Sequence, residues 1–179
     1  MNLEHYTAGD FQRGRPAWVE LVWLIVQGLF IDCWLPGSRH RVWLLRCFGA
    51  RIGRGAVIKP HVRIKFPWRL VMADHVWIGE GVWLDNLAEI RIGSHCNLSQ
   101  GVYVCTGSHD AFRDSFDLQT RSVVLADQVW LGAFSRVAPG VHLAEGSLLQ
   151  MGSVLTRSTE PQGIYAGIPA RRVKERAAA

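Results

Sequence analysis

The chain has 179 residues, 49% of them apolar and 20% charged, with a formal net charge of +5; this is one domain's length with enough apolar material for a core, which excludes disorder over most of it. Four cysteines, Cys33, Cys47, Cys96 and Cys105, fall in no CxxC spacing and no secretory signal is read over Met1 to Arg15, so a reducing, cytoplasmic setting is expected. Two basic clusters, Arg39, Arg41 and Arg46, then Arg171, Arg172, Lys174 and Arg176, suit phosphate groups, a membrane surface or plain solubility; no nucleic-acid partner is expected.

Residues 1–50 read as an N-terminal helical, apolar cap. Ala17 to Leu35 is the most apolar run, but Glu20, Gln27 and Asp32 interrupt it, and it falls short of the roughly 20 clean apolar residues that span a bilayer. Trp18, Leu21, Val22, Ile25 and Leu29 share one helical face, while Val19, Trp23, Val26 and Phe30 make the opposite face apolar too. Such a helix wants burial on two sides. It either caps an open end or packs on a neighbouring subunit, or it lies in a membrane interface, possible peripheral contact that the nearby arginines would help.

From Ile52 the aliphatic residues recur at sixes: Ile52, Ile58 and Ile64, then Met72, Ile78 and Leu84, then Ile92, Leu98 and Val104. Leu125, Leu131, Val137, Leu143, Leu149 and Leu155 continue the period without a miss. A helix repeats its apolar face near every three to four residues and a strand at every second, so sixes fit neither. They fit an all-β solenoid over residues 51–160, in which three hexapeptides make each turn of a three-sided prism and each coil buries its face against its neighbours. Where the step lengthens to eight, at Phe66 to Leu70 and Leu87 to Arg91, corner bulges are expected. The slot four after each aliphatic holds a small residue, as at Val76, Cys96, Val129 and Ser147, and glycine directly follows the aliphatic at Gly53, Gly79, Gly93 and Gly132, where a turning backbone would not welcome a side chain.

The period breaks over residues 105–124, an inserted loop containing Thr106, Gly107, Ser108, His109 and Asp110. Insertions project from a solenoid without disturbing its stack and are where chemistry is first sought. In residues 161–179, Pro161, Gly163, Gly167 and Pro169 exclude another regular coil, and a short helix is expected over Val173 to Ala179.

The sixes, with Val129-Trp130-Leu131-Gly132-Ala133, Pro139-Gly140-Val141, Gly152-Ser153-Val154-Leu155-Thr156 and Ala166-Gly167-Ile168-Pro169-Ala170-Arg171, resemble the hexapeptide-repeat acyltransferases. Arg46-Cys47-Phe48-Gly49-Ala50, Phe66-Pro67-Trp68 and Ser108-His109-Asp110 most resemble the colanic acid biosynthesis acetyltransferase branch, related to the maltose and galactoside O-acetyltransferases. The resemblance implies a left-handed parallel β-helix assembled as a homotrimer, with active sites between prisms. It implies an acetyl-CoA-dependent O-acetyltransferase acting on a sugar hydroxyl in exopolysaccharide biosynthesis. His109 matches the family's general base; an imidazole with a pKa near 6.5 can accept the proton of a hydroxyl that is otherwise a poor nucleophile.

Asp85 matches the family's acceptor-site carboxylate, and Asn86, Ser108 and Asp110 are further acceptor-site candidates, though all four are also ordinary turn residues. For coenzyme A the resemblance points to Trp130, Gly152, Ser153, Thr156, Arg157, Pro169 and Arg171, with arginine where the family more often has lysine at the first cationic position. Trp77, Trp83 and Trp130 share an outward slot, suited to a trimer interface or a site wall. His75 and His95, twenty apart, should stack on adjacent coils; a zinc site of the carbonic anhydrase class would need a third histidine where Asp114 stands, so no metal is expected. An antibiotic or amino-sugar N-acetyltransferase would share nearly every motif, and a metal-dependent hydratase or a non-catalytic scaffold are the readings from other classes.

Overall fold

The computed structural model describes residues 2–176. Each coil contributes one short strand to each of three sheets. The first sheet stacks Arg51–Ile52, Leu70–Met72, Ile90–Ile92, Val123–Leu125 and His142–Leu143. The second runs Val57–Ile58, Trp77–Ile78, Asn97–Leu98, Trp130–Leu131, Leu148–Leu149, and the third Arg63–Ile64, Trp83–Asp85, Tyr103–Cys105, Arg136–Val137, Val154–Leu155. All these pairings are parallel, and Leu125 lies opposite both Ile92 and Leu143, so the coils on either side of the long insertion stay in register. The six-period aliphatics are the core: Ile58, Ile64, Leu84, Leu98, Val104, Leu131 and Leu149 are wholly buried.

The corners explain the second restriction. Slot four is core as well, with Val76, Val129 and Ser147 fully buried, and burial pushes the Cys96 thiol up to about 11, so it stays protonated. The left-handed backbone that turns each corner falls three residues after the aliphatic, at His61, His75, His95, Gln128 and Phe134, with φ of 57 to 59°. The glycine directly after the aliphatic therefore does not make the turn, contrary to expectation; it makes room. A Cβ on Gly79 would lie 2.7 Å from the carbonyl carbon of Ser99 in the next coil, and one on Gly93 2.6 Å from that of Ala126. Of the two expected bulges, the first contains a 3-10 turn at Pro67–Arg69.

An open first coil exposes unpaired backbone groups on all three sheets, the usual hazard of an edge strand. The cap meets each of the three sheets with a side chain. It comprises α1 (Ala17–Val26), a π-helical turn (Gln27–Ile31) and α2 (Arg39–Cys47). Arg46 donates to the carbonyl of Ile52, Ser38 Oγ bonds both the carbonyl and the amide of Ile58 at 3.0 Å, and Trp23 Nε1 donates to the carbonyl of Ile64 at 2.9 Å while Gln27 accepts from its amide. Trp23, Ile31 and Leu45 are fully buried beneath. The π turn rotates the chain, so Phe30 is exposed instead of joining Val19, Trp23 and Val26 on the packed face. The arginine cluster divides: buried Arg41 donates to the carbonyls of Ile31, Cys33, Gly37 and Leu35, Arg46 serves as a plug, and the Arg39 side chain alone of the three makes no hydrogen bond or ion pair among the described residues. No described helix is long and apolar enough to cross a membrane.

The far end is closed by backbone. Gly163–Gly167 pairs parallel with Leu148–Leu149 as the next strand of the second sheet, and Ala170–Glu175 folds back on it antiparallel. The short helix expected from Val173 is thus corrected to a strand; its last three positions, 177–179, lie outside the described residues. A helix of seven residues is marginal alone, whereas an open sheet edge offers every second backbone group a partner.

Candidate active site

Residues in the break form an antiparallel hairpin, Gly107–His109 against Leu118–Thr120, standing off the prism after Cys105. The N-terminal segment holds it down. Asn2 N donates to the carbonyl of Asp114 at 2.8 Å, Leu118 N to that of Thr7 at 3.3 Å, and Thr7 Oγ1 to Asp117 Oδ1 at 2.7 Å, with His5 Nδ1 3.0 Å from Asp114 Oδ2. The bond from Thr7 holds the Asp117 carboxyl below its ordinary value, and His5 does the same for Asp114. Sequence reasoning missed this strap because its contacts join polar residues over a hundred positions apart, without period or motif.

His109 lies flat on Phe116, ring centroids 4.3 Å apart and 1° between planes, and its Nδ1 is 3.0 Å from the carbonyl oxygen of Phe116. A carbonyl can only accept, so this contact assigns the proton to Nδ1 and leaves Nε2 as the lone-pair nitrogen. Phe116 adopts φ +47°, uncommon for a bulky residue, which is what brings both its ring and its carbonyl onto His109. The imidazole lines a cleft of about 440 Å³ with Tyr6, Phe11, Arg13, Lys65 and Phe66. Phe11 and Phe66 stack there under the Arg69 guanidinium, and Trp68 stacks in turn on Phe66.

The acceptor-site candidates do not share one place. Asp85 ends its strand with Oδ1 3.5 Å from Lys65 Nζ and Oδ2 receiving the Tyr103 hydroxyl at 3.1 Å. It borders the His109 cleft through Lys65, and its buried Oδ1 makes no hydrogen bond. Burial, then hydrogen bonding to Cys105 and the Asp85 charge, push the Tyr103 hydroxyl far up, so it remains a donor. Asn86 is wholly buried with both polar atoms bonded to the backbone of Phe66, fastening the corner bulge. Asp110 caps the hairpin tip, accepting from Phe112 N and Gln119 Nε2 and pairing with Arg113, and Ser108 is exposed opposite Gln119.

The cofactor candidates cluster in part. Ser153 Oγ accepts from Gly167 N at 3.1 Å, tying the corner at Gly152 to the turn that carries Pro169 and leads into the strand of Arg171. Gly152 has φ +70° and open space where a Cβ would stand. Trp130 is exposed on the same sheet, its indole donating to Ser99, and exposed Thr156 and Arg157 follow the last strand of the third sheet. Trp77 and Trp83 also face outward, the latter between Tyr103 and Arg63. His75 and His95 stack at 5.2 Å, and among the described residues no group of three or more histidine, cysteine or acidic side chains could hold a metal ion.

Comparison with known proteins agrees with this architecture, although no family model matches the chain. WcaF of Escherichia coli K12, named for acetyl transfer in colanic acid biosynthesis, is 38% identical over 168 residues, covering 93% of this chain and 91% of its own. The galactoside O-acetyltransferase of the same organism is 20% identical over 135 residues, 74% of this chain and 66% of that one. A hexapeptide-repeat acetyltransferase of Vibrio cholerae, solved in complex with acetyl coenzyme A, superposes with a TM-score of 0.83 at 21% identity over 96% of both chains.

Proposed function

The chain belongs to the hexapeptide-repeat acetyltransferases, in the branch of WcaF, and on that premise we propose that it transfers an acetyl group from acetyl-CoA to a saccharide hydroxyl with His109 as general base. The observation that carries the proposal is the fixed imidazole: Nδ1 is committed to the Phe116 carbonyl, and Nε2 is left to take a proton in a cleft walled by Tyr6, Phe11 and Phe66. His109 accepts the hydroxyl proton as the acceptor oxygen bonds to the thioester carbonyl carbon, and returns it to the sulfur as the carbon–sulfur bond breaks. No acyl-enzyme forms, and holding the two reactants together supplies much of the remaining advantage. Apolar rings beside Lys65 and the paired Arg13 and Glu20 suit a sugar, which offers one face of C–H groups and a rim of hydroxyls.

Acetyl-CoA supplies the activated acyl group. The residues fit it: the open corner at Gly152 admits a close approach, Trp130 offers a ring, and the exposed guanidiniums of Arg157 and Arg171 suit phosphates. Trp130 and the Gly152 corner belong to the second sheet, a different face of the prism from the one whose edge carries the His109 hairpin, which supports a homotrimer in which a neighbouring prism completes each site; Thr156 and Arg157 follow the third sheet two coils beyond the hairpin. The test follows thiol release from acetyl-CoA against a panel of neutral, acidic and amino sugars. Hydroxyl-dependent release is expected; release with amines alone, or with no acceptor in the panel, contradicts the proposal.

A further inference from the structure

Trp18, Leu21, Val22, Ile25 and Leu29 form the face of the cap turned away from the prism, and all five are exposed, from 42% at Val22 to 67% at Trp18. Leu24, Phe30, Trp34 and Trp43 of the cap are exposed as well. Soluble monomers rarely carry so many large apolar side chains side by side.

Where the face points narrows what covers it. The plugs from Trp23, Gln27, Ser38 and Arg46 meet the first coil on the edge opposite the second coil. The outer side of α1 therefore looks along the prism axis, away from the flanks that carry Trp77, Trp83 and Trp130. Side-by-side packing of prisms leaves such an end bare, and copies arranged around one axis would turn their caps the same way. Charge adds to this. Arg15 shares a groove with Trp18 and Val22, and Arg39 opens α2; neither makes an ion pair among the described residues. Of the nearby acids, Glu20 is paired with Arg13, and Asp32 lies 3.6 Å from the His61 ring. An apolar face with unpaired cations at its rim and tryptophans at its margins matches an anionic bilayer surface, with rings and guanidiniums at the headgroups.

We propose that the cap docks the protein end-on in the interface of an anionic phospholipid membrane, with α1 in the membrane plane. The helical stretch from Ala17 to Ile31 is about 22 Å long, too short to span, so the contact is peripheral. The inference does not depend on the acetyl-transfer reading.

Flotation of the full chain with vesicles tests it, one set phosphatidylglycerol with phosphatidylcholine and one phosphatidylcholine alone. Wild type is expected to float with the anionic set and far less with the neutral one. The double variant Leu21→Glu, Ile25→Glu should bind about a hundredfold more weakly, and Arg15→Glu with Arg39→Glu at least about tenfold, with thermal unfolding reporting that each is folded. The charge variant alters only exposed side chains and remains informative if the first fails to fold. Wild type staying in solution with both sets overturns the proposal, as does equal flotation with both or undiminished binding by a folded variant. Lipid-free sedimentation showing end-to-end assemblies that Leu21→Glu disperses would give the face to a second copy instead, and would equally overturn it.

Discussion

The prism and the hairpin that interrupts it are built on opposite terms. In the prism every coil repeats the environment of the one before, so Ile78 and Leu98 occupy equivalent buried sites and each side chain is held by several neighbours. The hairpin has no such repetition: its tip is exposed, and it is ordered by a strap of polar contacts and by one phenylalanine in an unusual conformation. Stability resides in the part that repeats, and chemistry is assigned to the part that does not. The solenoid can carry an unrepeated loop because its register closes again at Val123 to Leu125.

Substitutions should separate the two regions. Leu98→Ala, which hollows the core between coils, should lower unfolding free energy by about 2–5 kcal/mol in denaturant titrations, with turnover per folded molecule little changed. Gly79→Ala forces a methyl against the backbone of the next coil and should cost about 1–3 kcal/mol in the same measurement. Phe116→Ala keeps the carbonyl that fixes His109 but removes the ring beneath it; turnover should fall by up to about tenfold while the melting temperature stays near wild type. Thr7→Ala should leave the core intact and make the strap more susceptible to limited proteolysis.

The smallest effect is expected from acid. Asp114 and Asp117 are held below the ordinary carboxylate range in the folded protein, so their contribution is present above about pH 4 and is lost as pH falls through the depressed values. Proteolysis of the strap should therefore be flat from neutrality to about pH 5 and rise only below the ordinary aspartate range. Release of the strap near neutral pH would show that these carboxylates do not hold it.

The prism was legible in the sequence because each of its constraints recurs: the six-period aliphatics, the small residues four later and the glycines beside the next coil all report one geometry many times over. The purpose of Gly79 was misread because a close approach and a left-handed turn select the same residue, and only the φ of the following positions separates them. What occurs once was not legible. The plugs from Ser38, Gln27 and Trp23 each answer a particular unpaired backbone group, and the terminal strand from Ala170 exists because an edge was open to it. In the candidate site His109 stood out by lying in the break, but its partner did not, since a backbone carbonyl such as that of Phe116 leaves no residue-type signature. Arg41 was grouped with surface cations on composition alone; burial among four carbonyls is a property of the π turn and the loop after it.

Acetyl transfer by His109→Ala tests the division of labour most directly. If the hairpin supplies the base and the prism the stability, this variant should melt with wild type, sediment as wild type and lose about a hundredfold to ten-thousandfold in turnover with an acceptor that the wild type uses. Full turnover by a folded His109→Ala protein would contradict the account.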